Sequence, residues 1–514
     1  MKVDFAKNTK RIIIAKMANT AVKTVIPFFR KTIFMWVLGS EYLGLNGLFY
    51  SILGMLMLAE MGFGSAIICY LYKPVAEENH KLVCTYLKFY RMIYRCVGAF
   101  IFIVGLCVLP FLRHLIHGHV PADINLHVLY LMFLVNTSAG YFFFAYRGAI
   151  FAAYHRNDIP TYISTFITVI EFVAACLVLF LTHNYYHYVI VMISCTVLNN
   201  LLLMLASRIY FPHIVPHGTM PKEEVKRVIK DVKAIFMHKI GAVISNSFDN
   251  IAISAFLGLS HVGSYGNYSH IRSSVAGISS SICYSMLGGF GNKIYTESKE
   301  DNFKLLMKAN RIVICVIIWC AAMLLALYQP FMINWTLKDP SLMQHFLTPF
   351  LMVVWFYEKQ SRETLRTFKN AASLWQQDRW KAVIASFANL ALNLTFIQVF
   401  PQGYKLDGVI LATIITDVII QMPWESHAVF TAFFTRHQAV LYWRKQLFYF
   451  VIALLVCTLT WCAAYAVKFD GILGLTLKGI AAAAASSIFL SAIFFDEMRF
   501  VMHKLLSKDK KEKI

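Results

Sequence analysis

Leu38-Gly39-Ser40-Glu41-Tyr42-Leu43-Gly44-Leu45-Asn46-Gly47-Leu48-Phe49 is echoed in the same chain 219 positions later. Under that shift Leu38, Gly39, Gly44, Gly47 and Ile52 fall on Leu257, Gly258, Gly263, Gly266 and Ile271. After one inserted residue, at a shift of 220, Lys73, Glu77, Lys88 and Arg91 fall on Lys293, Glu297, Lys308 and Arg311. Apolar helices share composition by necessity. Charged connections do not, so the matches between them argue for an internal duplication.

The composition says what the duplicated unit is made of. Of 514 residues, 58% are hydrophobic and only 15% charged, and mean hydropathy is +0.59. A water-soluble enzyme could not hide that much apolar surface, and a disordered chain would not contain it. Apolar stretches near 20 residues, the length that crosses a bilayer, recur at 12–36, 43–71, 93–112, 124–150, 160–182, 187–207, 234–257, 263–290, 311–335, 343–368, 380–400, 407–433, 446–467 and 472–495. The expected fold is an all-α integral membrane protein of about fourteen transmembrane helices. Stretches 2 and 8 carry the repeat, so stretches 1–12 form two six-helix units and the last two are an appendage. Six is even, so both units share one orientation, the arrangement of parallel transporter repeats with substrate at the repeat interface. The expected divisions are an N-lobe at 1–210, a basic cytoplasmic linker at 211–233, a C-lobe at 234–435, and helices 13–14 with a basic tail at 436–514. Pro212, Pro216, Gly218 and Pro221 break the linker, and 223–233 reads as a short amphipathic helix on the membrane surface.

Lys and Arg number 48 against 27 Asp and Glu, a net charge of +21. In a soluble protein this would point to nucleic acid. Here 36 of the 48 fall on the side of the N-terminus and five opposite. The positive-inside rule therefore places both termini in the cytoplasm and accounts for the charge without nucleic acid. The remaining seven, Lys23, Arg30, Lys31, Arg272, Lys359, Arg362 and Arg366, lie within helices. A charge at the bilayer centre costs about 2.5–3.5 kcal/mol on insertion scales, so such residues usually face a wet interior and mark a pathway.

Lys23, Pro27 and Arg30/Lys31 share one face of helix 1, and Pro27 should bend it. Arg30 and Lys31 either face the interior or snorkel to the outer headgroups. On helix 10, Arg362, Arg366 and Lys369 form one stripe that Lys359 extends, with Glu358/Arg362 and Lys359/Glu363 as internal i,i+4 pairs. A solvated helix end would look the same. Arg272 sits near mid-membrane, where Asp249 would be a fitting structural partner. The intramembrane acids are Glu60, Glu171, Asp249 and Asp417. Each reads as a proton or cation site, or as the partner of a cationic residue. His114, His117, His119 and His127 read as interfacial rather than metal-binding. The 11 cysteines form no CxxC pair; most lie in apolar runs and read as small buried hydrophobes. No cleaved signal peptide is read in 1–16, and GxxxxGK[ST] does not occur, so no ATPase within this chain powers it. The expected interior is a mainly cationic cavity between two lobes, which favours an anionic cargo that Arg can grip through phosphate.

The run quoted at the outset, with Leu58-Ala59-Glu60-Met61-Gly62-Phe63-Gly64-Ser65-Ala66, resembles the Wzx-type polysaccharide-transporter branch of the multidrug/oligosaccharidyl-lipid/polysaccharide exporter superfamily. So do Asp249-Asn250-Ile251-Ala252-Ile253-Ser254, Tyr265-Gly266-Asn267-Tyr268, Arg362-Glu363-Thr364-Leu365-Arg366-Thr367-Phe368-Lys369 and Trp375-Gln376-Gln377-Asp378-Arg379-Trp380. The resemblance covers roughly 8–435. It implies a fold like that of multidrug exporters and lipid II flippases, and flipping of a polyprenyl-diphosphate-linked oligosaccharide to the outer leaflet of the bacterial cytoplasmic membrane. Polysaccharide polymerase and glycosyltransferases are the implied partners. Carried over by position, Arg30 matches a cavity arginine of the family, and Arg362, Arg366 and Lys369 match its helix 10 run; Arg272 departs from the usual pattern. With Lys23 they are the candidate substrate-binding residues, and Asp249 and Glu60 the candidate coupling residues, with H+ or Na+ as the coupled ion and no cofactor. A cation-coupled drug antiporter of the same superfamily would want an acidic cavity. A glycan polymerase or ligase would be an enzyme with a sizeable outer loop.

Overall fold

The computed structural model describes residues 5–494 except 61–62, 119, 338, 373, 375–376 and 378–379. His119, Met61-Gly62, Lys338, most of the 375–380 motif and the basic tail therefore lie outside the described residues. Every described element is helical. The α-helices are α1 (Phe5–Leu38), α2 (Ser40–Leu56), α3 (Phe63–Ala76), α4 (His80–Val108), α5 (Leu126–Phe142), α6 (Gly148–Ala153), α7 (Asp158–Thr182), α8 (Tyr185–Tyr210), α9 (Lys222–Phe256), α10 (Leu259–Thr296), α11 (Lys299–Trp335), α12 (Leu347–Ser361), α13 (Glu363–Ala371), α14 (Lys381–Val399), α15 (Lys405–Thr416), α16 (Met422–Ala432), α17 (Arg436–Tyr465) and α18 (Gly471–Ile493).

Each of the fourteen apolar stretches falls on one helix or on two consecutive helices. Among the described residues, eight spans are long and apolar enough to cross a membrane, and a ninth if α5 and the segment through α6, bent by 41°, count together. The five stretches outside that set lie on α1, α2–α3, α9, α10 and α12–α13. These carry most of the intramembrane charges and the polar Ser/Asn runs. Length and apolarity thus set apart the five stretches that carry the intramembrane cations, whose polar side chains must be satisfied by protein or water.

Packing divides the chain into two compact units, Met1–Gly263 and Ser264–Ile514. In the first, α1 lies along α7, α7 along α8, α2 against α9, and α4 between α3 and α5. Its core is aromatic: Phe34, Tyr185 and Tyr188 meet edge to face, as do Phe49, Tyr130 and Phe133. In the second, α11 packs against α12, α17 and α18, and α14 against α15. Phe290, Leu365, Phe368, Val429, Phe430 and Tyr442 form a buried cluster there. The repeat divides the chain at the linker and packing divides it at 263; the difference is α9, which seats on α2.

The surface helix expected at 223–233 does not stand alone. It is the first third of α9, which runs 35 residues without a break. No proline follows Pro221 within it, so nothing stops the helix. α1 likewise continues through Pro27.

Candidate functional site

In the second unit the chain breaks between α12 and α13 at Arg362, whose side chain is only 3% exposed. Its guanidinium faces both oxygens of Glu358, Oε1 at 2.8 Å from Nε and Oε2 at 3.2 Å from Nη2. Nη1 donates to Glu425 Oε2 at 2.8 Å, and Nη2 lies 3.9 Å from Asp417 Oδ2. Glu425 in turn accepts from Lys381 Nζ at 2.6 Å. Arg366 pairs with Glu363 at 3.0 Å, and its Nη2 donates to the Lys359 carbonyl at 2.6 Å. Asp417 accepts from Trp355 Nε1 at 3.1 Å and from the Gln421 amide. It opens a π-helical turn, Asp417–Gln421, between α15 and α16. Such turns widen a helix locally and recur at functional sites.

Two further cations meet the Trp355 ring. The Arg272 guanidinium lies 3.7 Å from its centroid and the Lys359 ammonium 5.5 Å. Counted together, Arg272, Lys359, Arg362, Arg366 and Lys381 exceed Glu358, Glu363, Asp417 and Glu425 by one positive charge. Within the Arg362, Arg366 and Lys369 stripe, which falls at α12–α13, Arg362 and Lys369 are buried and Arg366 is partly exposed. The arrangement is a largely compensated network. An anion can bind there by taking a carboxylate's place on a guanidinium fork, an exchange that phosphate geometry allows.

In the first unit Arg30 Nη1 donates to Glu171 Oε1 at 2.7 Å, with both side chains partly buried. This pair gives Arg30 a partner on α7. Lys23, on the same face of α1, is exposed. Glu60 accepts from Tyr94 at 2.7 Å and Tyr141 at 3.1 Å. Asp249 and Ser247 are buried in α9, and the adjacent Asn250 donates to Ser51 at 2.8 Å. The fold therefore brings Arg272, Arg362 and Arg366 into one region of the second unit, with Lys369 buried on α13. Arg30, Glu60 and Asp249 sit at separate places in the first.

Sequence reasoning did not single out Glu425, Lys381 or Arg147. An acid in the apolar span Gln402–Ala432 was a usable signal for Glu425. Arg147 had a sharper one: the repeat shift of 219 carries Arg147, Ala152 and Ala153 onto Arg366, Ala371 and Ala372. Arg147 sits where the first unit breaks between α5 and α6, is 6% exposed, and donates to Ser207 Oγ at 2.9 Å. Among the described residues no group of three or more His, Cys, Asp and Glu is placed to hold a metal ion.

Residues 7–286 match the family described as polysaccharide biosynthesis protein. No curated protein matches the chain. Among solved structures, the lipid II flippase MurJ in an inward closed conformation is similar with a TM-score of 0.69 at 16% identity, covering 95% of this chain and 100% of that chain. An inward-facing multidrug resistance transporter of the MATE family, in the MOP superfamily, gives 0.58 at 11% identity, covering 80% and 98%. The Vibrio cholerae MATE transporter VcmN gives 0.52 at 13% identity, covering 87% and 99%. At these identities the likeness is one of fold.

Proposed function

This chain belongs to the polysaccharide biosynthesis protein family, and from that premise we propose that it flips a polyprenyl-diphosphate-linked oligosaccharide from the cytoplasmic to the outer leaflet of the bacterial cytoplasmic membrane by alternating access. The glycan is a repeat unit of polysaccharide or teichoic-acid type. The family match carries this reading. The cationic groups held inside apolar helices support an anionic cargo, because a guanidinium that already holds a carboxylate can hold a phosphate in the same bidentate geometry. Arg30, Lys23, Arg272, Arg362, Arg366 and Lys369 are the residues proposed to hold the diphosphate in turn. Asp249 and Glu60 are proposed to reset the carrier by taking up H+ or Na+. Both termini are proposed to lie in the cytoplasm, and polymerase and glycosyltransferases to act on either side of the flipping step.

The test is reconstitution. Proteoliposomes carrying a fluorescent polyprenyl-diphosphate disaccharide in one leaflet should expose it in the other faster than protein-free liposomes. Arg30→Ala should abolish the acceleration and Arg30→Lys should keep part of it, at equal protein content. A wild-type chain that leaves this rate unchanged while driving gradient-coupled uptake of an organic cation would instead make it a cation-coupled multidrug-type antiporter.

A further inference from the structure

One basic cluster is left over. Lys88, Arg91 and Arg95 recur at i, i+3 and i+7 on one face of α4. They line a cavity of about 540 Å³ closed on its other side by Gly218 and Met220 of the connection before α9 and by Val225 of α9 itself. No acidic side chain lines it, and none of the three cations makes an ion pair among the described residues. The wall is built to stay. Gly218 holds φ at +91°, where a side chain would be strained, and a Cβ there would collide with Thr85 of α4. Tyr86 donates to Glu224 at 3.3 Å and fastens α9 to the same stretch of α4.

The depth of the cluster matters. From Lys88 to Arg95 the helix rises about 10 Å. Residues 96–112, immediately beyond Arg95, carry no charge. The three cations therefore stand at headgroup level, at the edge of the hydrocarbon. Between and beyond them the same face carries exposed Met92, Cys96 and Ile103, the last 61% exposed, which bury themselves only against lipid. In the second repeat the equivalent of Arg95 is Cys315, which is buried, and Arg311 lies over the Phe494 ring. The third cation has no counterpart there, so the cluster of three is a property of the first unit.

We propose that this cavity is a binding site for an anionic phospholipid of the surrounding bilayer. Its phosphate sits among Lys88, Arg91 and Arg95, and an acyl chain follows Met92 and Ile103. Basic pockets beside spanning helices recognise such headgroups, each Lys or Arg adding a modest electrostatic increment. The occupant is a bilayer lipid rather than the cargo, because the cavity that Lys88, Arg91 and Arg95 line contains none of the residues proposed to hold the diphosphate; a prenyl tail would fit the same flank, so competition by undecaprenyl diphosphate separates the two.

The experiment places the full chain in nanodiscs of phosphatidylcholine mixed with phosphatidylglycerol and counts retained lipid by native mass spectrometry. Phosphatidylglycerol should be retained over phosphatidylcholine. Arg95→Gln should lower that preference about fivefold, and K88Q/R91Q/R95Q about a hundredfold. Arg95 is exposed, so its single variant keeps the test valid if the triple variant fails to fold. Equal retention of the two lipids, or an unchanged preference in Arg95→Gln, would overturn the proposal. So would displacement of phosphatidylglycerol by added undecaprenyl diphosphate, which would assign the cavity to the cargo. None of these outcomes depends on flipping.

Discussion

Glu425 shows what a single buried carboxylate does in this protein. It is 1% exposed and holds Arg362 at 2.8 Å and Lys381 at 2.6 Å. Glu425→Gln removes the carboxylate that Lys381 and Arg362 share, leaving Arg362 with Glu358 and Asp417, and breaking a buried pair in this way costs about 3–5 kcal/mol. The expected outcome is a clear fall in unfolding temperature in detergent. Glu223→Gln, which removes an exposed pair with Lys226, should leave it where it was. An unchanged melting curve for Glu425→Gln would mean that water already solvates the cluster. The cationic half of this network was legible in the sequence, because Arg362 and Arg366 interrupt an apolar run. Its acidic half was not: Glu425 lies 63 residues from Arg362 in sequence, and no local pattern joins them.

At the scale of elements, the repeat has a backbone meaning that its letters only hinted at. Gly39 and Gly258, equivalents under the shift of 219, both adopt positive φ, +101° and +97°, and each separates two long helices. Gly44 and Gly263, also equivalents, are where α2 meets the start of α10. A Cβ on Gly44 would collide with the Leu259 backbone, and one on Gly263 would come within 2.7 Å of the Ser40 carbonyl. Close helix approach through small residues is a main device of membrane packing. The equivalents are not interchangeable, however. Nothing lies within 4 Å of a Cβ on Gly39, whereas one on Gly258 would lie 2.9 Å from the His117 carbonyl. Gly39→Ala should therefore cost only the backbone strain of its positive-φ extended conformation, φ +101° with ψ −174°, a region almost confined to glycine, about 1–3 kcal/mol. Gly258→Ala should cost distinctly more, because backbone must also move. Thermal unfolding of the two variants side by side checks the order; equal losses would mean that the His117 segment yields freely.

At the scale of the whole molecule, the charge bias makes a prediction about sidedness. A phosphatase reporter active only outside the cytoplasm should be silent when fused after His213 or Ser507 and active when fused near Lys338. Activity after Ser507 would require an odd number of crossings. What the sequence by itself determined is what sums along the chain. Hydropathy marked where helices lie, the duplicated glycine run marked that the chain repeats, and Lys/Arg asymmetry set the expected orientation. Each depends on neighbours a few residues away or on totals, so folding is not needed to read them. Only the tertiary structure decided which charges compensate which. Arg30 meets Glu171 across 141 positions, Lys381 meets Glu425 across 44, and Lys88, Arg91 and Arg95 meet no acid among the described residues but line the wall of a cavity. A buried charge is as costly or as useful as its partner makes it, and helix packing, which chooses the partner, is a long-range property of the chain.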